Sequence, residues 1–530
     1  YEEVANQHMS AINEEIRTSV QEINSFTSEI AKLNAKIQVE NAVGDQGFAP
    51  NDLLDKRDTL IKDLSKKIEV EIIKLDDGSI NLTVGQGITL IAGAIDLPMR
   101  VIRNEFDSSK LEIGVAQSKQ TPNSLNVTSQ VSGGSLAALL EVRDNLIVPA
   151  IQELGKVAIG LADSFNRQQS LGRDLNGNVG ENMFRDINDP QFILSRAQAS
   201  IQNTTQTSFE VYIRNASQIT GGNYQVAYDG TNLDITDDEG NLVQQFTPAD
   251  LATMTGAARE QLIVGDTGIA ISFAINNLVA GDEFIIKPVD LGGKQIERVL
   301  KEPELVAAAD NFFEITENAN ANNVEFSIYE LSDTANAAFP SPVNVPPLPD
   351  PSVQVVLNAA GTQYDVQDST GATLVGGFQN IPADQIIEEV GLRFKLTGTI
   401  AGNESFTITH ADNTLIPNQN KRFGKGDNTN VLKMLDFQSE RLLDNGTNSF
   451  SESYADVVTT VGVETKSREI TRDSFQTLLD GAEERMAGIQ GVNLDEEAAN
   501  LIQYQQSYSA AARIITVARE TFQTLLQAAR

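Results

Sequence analysis

Apolar residues recur at heptad spacing from the start of the chain: Met9, Ile16, Ile23, Ile30 and Ile37 fall seven apart, Phe26 and Leu33 interleave, and Val20 widens the stripe. Spacing of three and four kept up over that length predicts one long helix with a packing seam centred on Ile16, Ile23, Ile30 and Ile37. Gly44 and Gly47 interrupt it. Pro50 then opens a second helix over 51–68, with Leu53, Leu54, Leu60, Ile61 and Leu64 on one side. From Glu69 the period changes to two. Val70, Ile72 and Leu75 lead into Asp77-Gly78, a tight-turn signal, and Ile80, Leu82 and Val84 alternate beyond it, which predicts a β-hairpin. Strand-like pieces continue to about Val131. Gly133-Gly134 precede a second helical region over 135–169, which Pro149 is expected to kink or divide.

Between about residues 190 and 420 the pattern is short alternating segments separated by Gly, Asn and Asp turns, the signature of β-domains. This region repeats itself. Gly230-Thr-Asn-Leu-Asp-Ile-Thr-Asp-Asp-Glu-Gly240 resembles Gly361-Thr-Gln-Tyr-Asp-Val-Gln-Asp-Ser-Thr-Gly371, and each is followed by a Phe (Phe246, Phe378) and by Pro-Ala-Asp at 248–250 and 382–384. Matches continue in the same order from Gly268 to Phe284 and from Gly391 to Phe406. A period of about 130 residues is too long for a solenoid and predicts a tandem domain duplication. Pro340, Pro342, Pro346, Pro347, Pro349 and Pro351 predict a stiff linker between the copies.

After Gly426 the helical period returns, first over 449–481 with Tyr454, Val457, Val458, Val461 and Val463, then over 494–530. The seam of the last stretch is Leu494, Ala498, Leu501, Tyr504, Tyr508, Ala511, Ile515, Ala518, Phe522, Leu525 and Ala529, spaced three or four apart throughout. Its flanks carry Gln, Ser, Thr and Ala, with few charges to keep it soluble alone. Such a seam needs a partner helix: the first helix, a neighbouring copy, or a segment preceding Tyr1. The fold class expected is multidomain α+β. A long-helix bundle or coiled-coil core domain comes from 1–189 and 425–490, outer antiparallel β-domains from 190–325 and 326–424, and a C-terminal assembly helix from 491–530.

Length and composition agree with several domains and narrow the chemistry. The 530 residues suggest about three or four domains. A formal net charge of -34, about twenty of it in residues 191–420, sets the surface against nucleic acid and anionic membranes. Cysteine is absent, which removes disulfides, thiolate metal sites and Cys nucleophiles. The only histidines are His8 and His410, so His-based triads and zinc sites lose their usual ligands. No unbroken apolar run approaches the ~18 residues of a membrane helix, and no membrane insertion is expected.

Short motifs that invite a chemical reading are weak. Asp266-Thr-Gly268 matches an aspartic-protease triplet, but the repeat lacks a second one, and a turn before a strand explains it. Asp174-Leu-Asn-Gly-Asn-Val-Gly180 looks like a calcium loop, yet Gly stands fourth, Val179 sixth, and Arg185 where a bidentate Glu belongs; a structural turn is expected. Gly85-Gln-Gly87 lacks the third glycine and the following helix of a nucleotide loop. Asn81-Leu-Thr and Asn203-Thr-Thr occur at about the chance rate for glycosylation triplets. Asp76-Asp77 and Asp237-Asp238 are expected to be turn and surface charges. No catalytic constellation survives, and the chain is expected to be neither an enzyme nor a holder of cofactor or metal.

The C-terminal stretch Gly491-Val-Asn-Leu-Asp-Glu-Glu-Ala-Ala-Asn-Leu-Ile-Gln-Tyr-Gln-Gln-Ser-Tyr-Ser-Ala-Ala-Ala-Arg-Ile-Ile is similar to the closing segment of bacterial flagellar axial proteins. Ala49-Pro-Asn-Asp-Leu-Leu-Asp-Lys-Arg-Asp58 and Gly133-Gly-Ser-Leu-Ala-Ala-Leu-Leu-Glu-Val-Arg-Asp144 resemble the hook-associated protein 1 family of hook–filament junction proteins, as do residues 163–177. The resemblance covers about the first 190 and last 105 residues well. The family's N-terminal helix and Asn/Thr-Pro-Gly-Tyr-type motif do not occur near Tyr1, so the chain is expected to lack that region, with its export signal and half of the inner-core helix pair.

The resemblance implies a structural protein, exported unfolded and placed outside the cell at the hook–filament junction. Its implied partners are other copies in a ring, the hook protein, the next hook-associated protein toward the filament, and an export chaperone at the C-terminal segment. The seam positions Leu494, Leu501, Tyr508, Ile515, Phe522 and Leu525 would bury area between subunits. Two other readings stay open: another axial subunit of hook or filament type, and a surface adhesin with tandem β-domains on a helical stalk.

Overall fold

A computed structural model of the chain describes residues 2–43, 50–118, 123–204, 207–252, 262–274, 277–310, 313–320, 323–332, 352–410, 426–490 and 494–528. The glycines at 44 and 47, the Pro-rich linker at 340–351, and residues 491–493 of the C-terminal motif lie outside them. The chain forms two compact units, Tyr1–Thr459 and Thr460–Arg530.

The first unit opens with α1 (Glu2–Val43) and α2 (Asn51–Ser65). Antiparallel strands β1 (Glu71–Lys74), β2 (Ile80–Val84), β3 (Ile88–Ala92) and β4 (Ile95–Asp96) follow, then β5 (Met99–Arg103), β6 (Leu111–Ala116) and β7 (Ser124–Asn126) as a separate sheet. The hairpin expected around Asp77-Gly78 is present: β1 pairs with β2, and Gly78 turns the chain at φ 83°. Ile16, Ile23 and Ile30 share one core with Leu64 beyond them in α2, Leu82 of β2, Ile91 of β3 and Ile113 of β6. The heptad seam of α1 therefore packs on helices and sheets together, where a coiled coil would offer one helix.

The sequence blocks at 49–58 and 133–144 turn out to carry this packing. Arg57 is buried and donates from Nη1 to Asn34 Oδ1 at 3.1 Å and to Gly78 O at 2.8 Å. Asn34 in turn donates to Ile80 O and Gly93 O, which locks α1 to both hairpins. Gly133 and Gly134 take φ of 60° and 67°, and a Cβ on Gly134 would meet the Lys67 backbone at 2.3 Å, so this close approach requires glycine.

α3 (Gly134–Val142) and α4 (Val148–Ser170) are joined by a π-helical segment, Arg143–Ile147. Pro149 lacks the N–H that would close an ordinary turn, and the helix widens just before it. The fully buried Arg143 guanidinium holds the widened turn by donating to Leu111 O. The run Gly134–Ser170 is, among the described residues, the one long and apolar enough to cross a membrane by length and composition. That qualifies the sequence expectation. Here it serves as a core helix, with Ile159 and Ala162 buried and Lys156 paired to Asp444 at 2.8 Å.

Two eight-stranded sets follow among the described residues. The first has β8 (Ala197–Ala199), β9 (Phe209–Ile213), β10 (Tyr224–Tyr228), β11 (Leu233–Asp237), β12 (Leu242–Phe246), β13 (Leu262–Ile263), β14 (Ile269–Phe273) and β15 (Glu283–Ile286). The second has β16 (Phe313–Ala319), β17 (Glu325–Leu331), β18 (Ser352–Leu357), β19 (Gln363–Asp368), β20 (Gln379–Asn380), β21 (Ile386–Glu389), β22 (Leu392–Thr397) and β23 (Ser405–His410). Their sheets have orders β12-β11-β10-β15-β8 with β9-β14-β13, and β20-β19-β18-β23-β16 with β17-β22-β21. Each strand of the second set is thus the first-set strand eight places earlier. Register is kept too: Val226 faces Phe284 as Val355 faces Phe406, with Phe209 on Phe284 and Phe326 on Phe406 at 4.4 and 4.5 Å between rings. Strand β16 precedes the boundary expected at 326 yet pairs with β23, so the second set opens at Phe313.

Helix α4 carries both sets. A Cβ on Gly155 would meet Val289 O at 2.0 Å, and one on Gly292 would meet Gly155 O at 2.4 Å. The Arg167 guanidinium lies 4.0 Å from the centre of the Tyr329 ring in β17 and pairs with Asp163 at 2.8 Å. After β23 come α5 (Thr429–Asp436), a short hairpin of Arg441–Leu443 with Asn448–Ser449, and α6 (Phe450–Gln490). The chain ends in α7 (Leu494–Ala528).

Candidate assembly surface

Helix α7 starts with Asp495, Glu496 and Glu497 in its first turn, where carboxylates offset the partial positive charge of unpaired N–H groups. Residues 498–512 then carry no charged side chain. Further along, the hydroxyls of Thr516, Thr521 and Thr524 donate to the carbonyls four residues earlier at 2.8 to 2.9 Å. Those polar groups are satisfied inside the helix, so dehydrating this face leaves them with a partner.

The seam residues stand open. Leu494 is 80% exposed, Leu501 61%, Tyr508 80%, Ile515 69%, Phe522 63% and Leu525 64%. Ile502, Ile514, Val517 and Leu526 are exposed beside them, so the apolar face is wider than the seam. At 1.5 Å per residue the stripe runs for about 50 Å. Fully burying a side chain of this kind is worth roughly 1.5–3 kcal/mol, and six of them amount to a strong drive toward association.

Helix α6 adds a second exposed face that the apolar period of its sequence does not reveal. Phe475, Leu478, Met486 and Ile489 stand open, and with Ala482 they follow the same three-and-four spacing. Between Val463 and Phe475, Lys466, Arg468 and Arg472 broke the apolar period and hid the signal. The N-terminal seam is a different matter: Ile16, Ile23, Ile30 and Ile37 are each 0% exposed within the first unit. Their partners are the helices and sheets already described.

Other motifs serve the fold. Asp174 Oδ1 accepts from the N–H groups of Asn176 and Asn178, both at 2.8 Å, and Gly177 has φ 84°, so the carboxylate closes its own turn. Asp237 and Asp368 close the equivalent turns of the two β-sets in the same way. In both, hydrogen bonds from the turn hold the carboxyl below the usual carboxylate range. Asp77 does likewise at the β1–β2 turn through Ser79. Asp266-Thr-Gly268 is the turn into β14, with Gly268 at φ 73°. Gly85-Gln-Gly87 is the turn between β2 and β3, Asn81 accepts from Gly93 N–H, and Asn203 donates to Glu283 O. His8 is exposed on α1, and His410 lies in β23 opposite Phe313. Among the described residues no three of the His, Asp and Glu side chains gather to hold a metal ion.

Known proteins are similar to this chain in sequence and fold. The helical-domain family of flagellar hook-associated protein FlgK matches residues 2–184, and the C-terminal family of flagellar basal body rod proteins FlgEFG matches residues 488–528. Flagellar hook-associated protein 1 of Salmonella typhimurium is 24% identical over 97% of this chain and 71% of its own length. The Escherichia coli protein of that name is 23% identical over the same shares. Among solved structures, the flagellar hook junction protein FlgK of Burkholderia pseudomallei aligns with a TM-score of 0.63 at 22% identity, covering 92% of this chain and 86% of that one. That likeness extends to the fold.

Proposed function

We propose that this chain belongs to the flagellar hook-associated protein 1 family and is a structural axial protein that joins hook to filament as a mechanical adaptor. The observation that carries the reading is the open seam of α7. A helix with so long an apolar stripe is stable in water only when other helices cover it. Copies of the same chain supply those helices in a closed ring, since heterologous contacts that close limit assembly to a fixed number.

On this reading Leu494, Leu501, Tyr508, Ile515, Phe522 and Leu525 lie in the inner core of a tube. Residues 1–189 with 425–490 form the layer around it, and the acidic β-sets face outward. The hook protein contacts the ring on one side and the next hook-associated protein on the other. Before assembly, an export chaperone covers the uncharged stretch 498–512. The protein works outside the cell, at the hook–filament junction of the flagellum, and carries out no reaction.

Antibody against residues 190–420, viewed by electron microscopy on intact cells, tests this. One narrow band where hook meets filament is expected. In the Ile515→Asp variant the band should vanish while the β-sets stay folded. Intact junctions in that variant, or label along the whole hook or filament, would overturn the assignment.

A further inference from the structure

The duplicated β-sets differ on the outer faces of their larger sheets. In the second set, cross-strand pairing lines up Thr316 of β16, Thr407 of β23, Gln354 of β18, Gln367 of β19 and Thr373 beyond it in one row. At about 4.8 Å between strands the row is about 19 Å long, and it holds only hydroxyls and amides. Asp365 beside it is 3% exposed and accepts from Gln367 Nε2 at 2.7 Å and Thr373 Oγ1 at 2.9 Å, so its charge is kept from the surface. Glu314 stands on the edge strand β16. The equivalent row of the first set is Gln198, Ile285, Gln225, Thr236 and Leu242, with the carboxylates of Glu283 and Asp234 in the row beside it.

An aromatic ring joins this face through a one-residue insertion. Gly371 to Phe378 is one residue longer than Gly240 to Phe246. Leu233 pairs with Phe246, whereas its counterpart Tyr364 pairs with Gln379, so Phe378 has slipped out of register. A slip of one residue turns a side chain to the other face of a sheet. Phe246 is 5% exposed in the core, while Phe378 is 48% exposed on the side of Asn380 and its partner Gln363. We propose that this outer face binds a neutral oligosaccharide, the C–H face of a sugar ring on Phe378 and sugar hydroxyls on Gln354, Gln367 and Thr407. Amides and hydroxyls both donate and accept, as sugar hydroxyls do, and an aromatic ring offers apolar area at little conformational cost. The net charge of -34 disfavours an anionic glycan, and a row without charge gives a cationic one nothing to pair with. A second copy of the chain laid on the face is the competing occupant.

Calorimetry on the full chain with maltoheptaose, cellohexaose and mannohexaose, and with a galacturonate hexamer as the anionic control, tests this. At least one neutral oligosaccharide is expected to bind saturably, and at least tenfold more tightly than the galacturonate hexamer. Phe378→Ala and Gln354→Ala should each weaken it at least fivefold with the Tm unchanged. Gln225→Ala, at the matching place in the first set, should leave it unaltered. No saturable binding of any neutral probe would overturn the proposal, as would binding unchanged in both second-set variants. Sedimentation showing that Phe378 drives self-association without sugar would overturn it too, by giving the face to another copy.

Discussion

Arg214 at the end of β9 donates from Nε to Asp384 Oδ2 at 2.5 Å, across the boundary between the two β-sets. Asp384 belongs to the second Pro-Ala-Asp of the repeat. Its counterpart in the first, Asp250, instead accepts from the N–H and hydroxyl of Thr247 at 2.8 and 2.7 Å and caps a helical turn. One duplicated residue has thus kept a local job while the other ties the copies together. The Arg393 guanidinium reinforces the tie, donating to Arg214 O at 3.0 Å and to Glu330 at 2.8 Å.

Because the Asp384 side chain is only 1% exposed, removing its partner strands a buried carboxylate. Arg214→Ala is expected to destabilise the first unit by about 3 kcal/mol, the range for a broken buried pair. Removing both partners should cost less than the two single changes summed. Urea unfolding of the double-mutant cycle checks this, and strict additivity would deny the pair its role.

Gly155 gives a prediction of sign. Alanine normally favours a helix interior over glycine by about 1 kcal/mol. At 155, however, the new Cβ would overlap Val289 O, so Gly155→Ala should destabilise by roughly 1–3 kcal/mol. Gly462 and Gly481 in α6 have nothing within 4 Å of a built Cβ, and alanine there should raise the Tm or leave it unchanged. Thermal unfolding followed by circular dichroism distinguishes the two outcomes.

The two seams should respond in opposite ways. Ile23→Ala opens a hole in a filled core and is expected to cost about 2–5 kcal/mol. Ile515→Ala touches an exposed position and should alter the free protein's stability by no more than about 0.5 kcal/mol. Its effect should appear in assembly, measured by sedimentation at rising concentration. A destabilised free protein would mean that Ile515 is core.

Acid should loosen the contact between the helical domain and the first β-set. Burial alone would raise the Asp107 pKa, but hydrogen bonds from Lys287 and Ser109 and the Lys287 charge prevail and hold it low. A depressed carboxyl stabilises the fold above its unfolded pKa, about 3.9, and the contribution is lost as pH falls through the folded value. The Tm difference between the natural chain and Lys287→Met should therefore be full at about pH 6 and shrink toward pH 3. A difference independent of pH would show that Lys287 acts by packing.

The sequence by itself determined the elements, the β-duplication and the C-terminal seam, because each is a local or periodic signal. Heptad isoleucines, Asp-Gly turns and a stripe without charges leave their period in the chain whatever surrounds them. What covers a seam is a property of neighbours distant in sequence, and only the tertiary structure decided it. Ile23 and Ile515 sit on similar stripes, yet one is sealed by α2, β2, β3 and β6 while the other stands 69% exposed. The same holds for β16, which only its pairing with β23 assigned to the second set. Arg57, Arg143 and Gly155 likewise look ordinary in sequence, since their importance lies in one backbone carbonyl brought close by the fold.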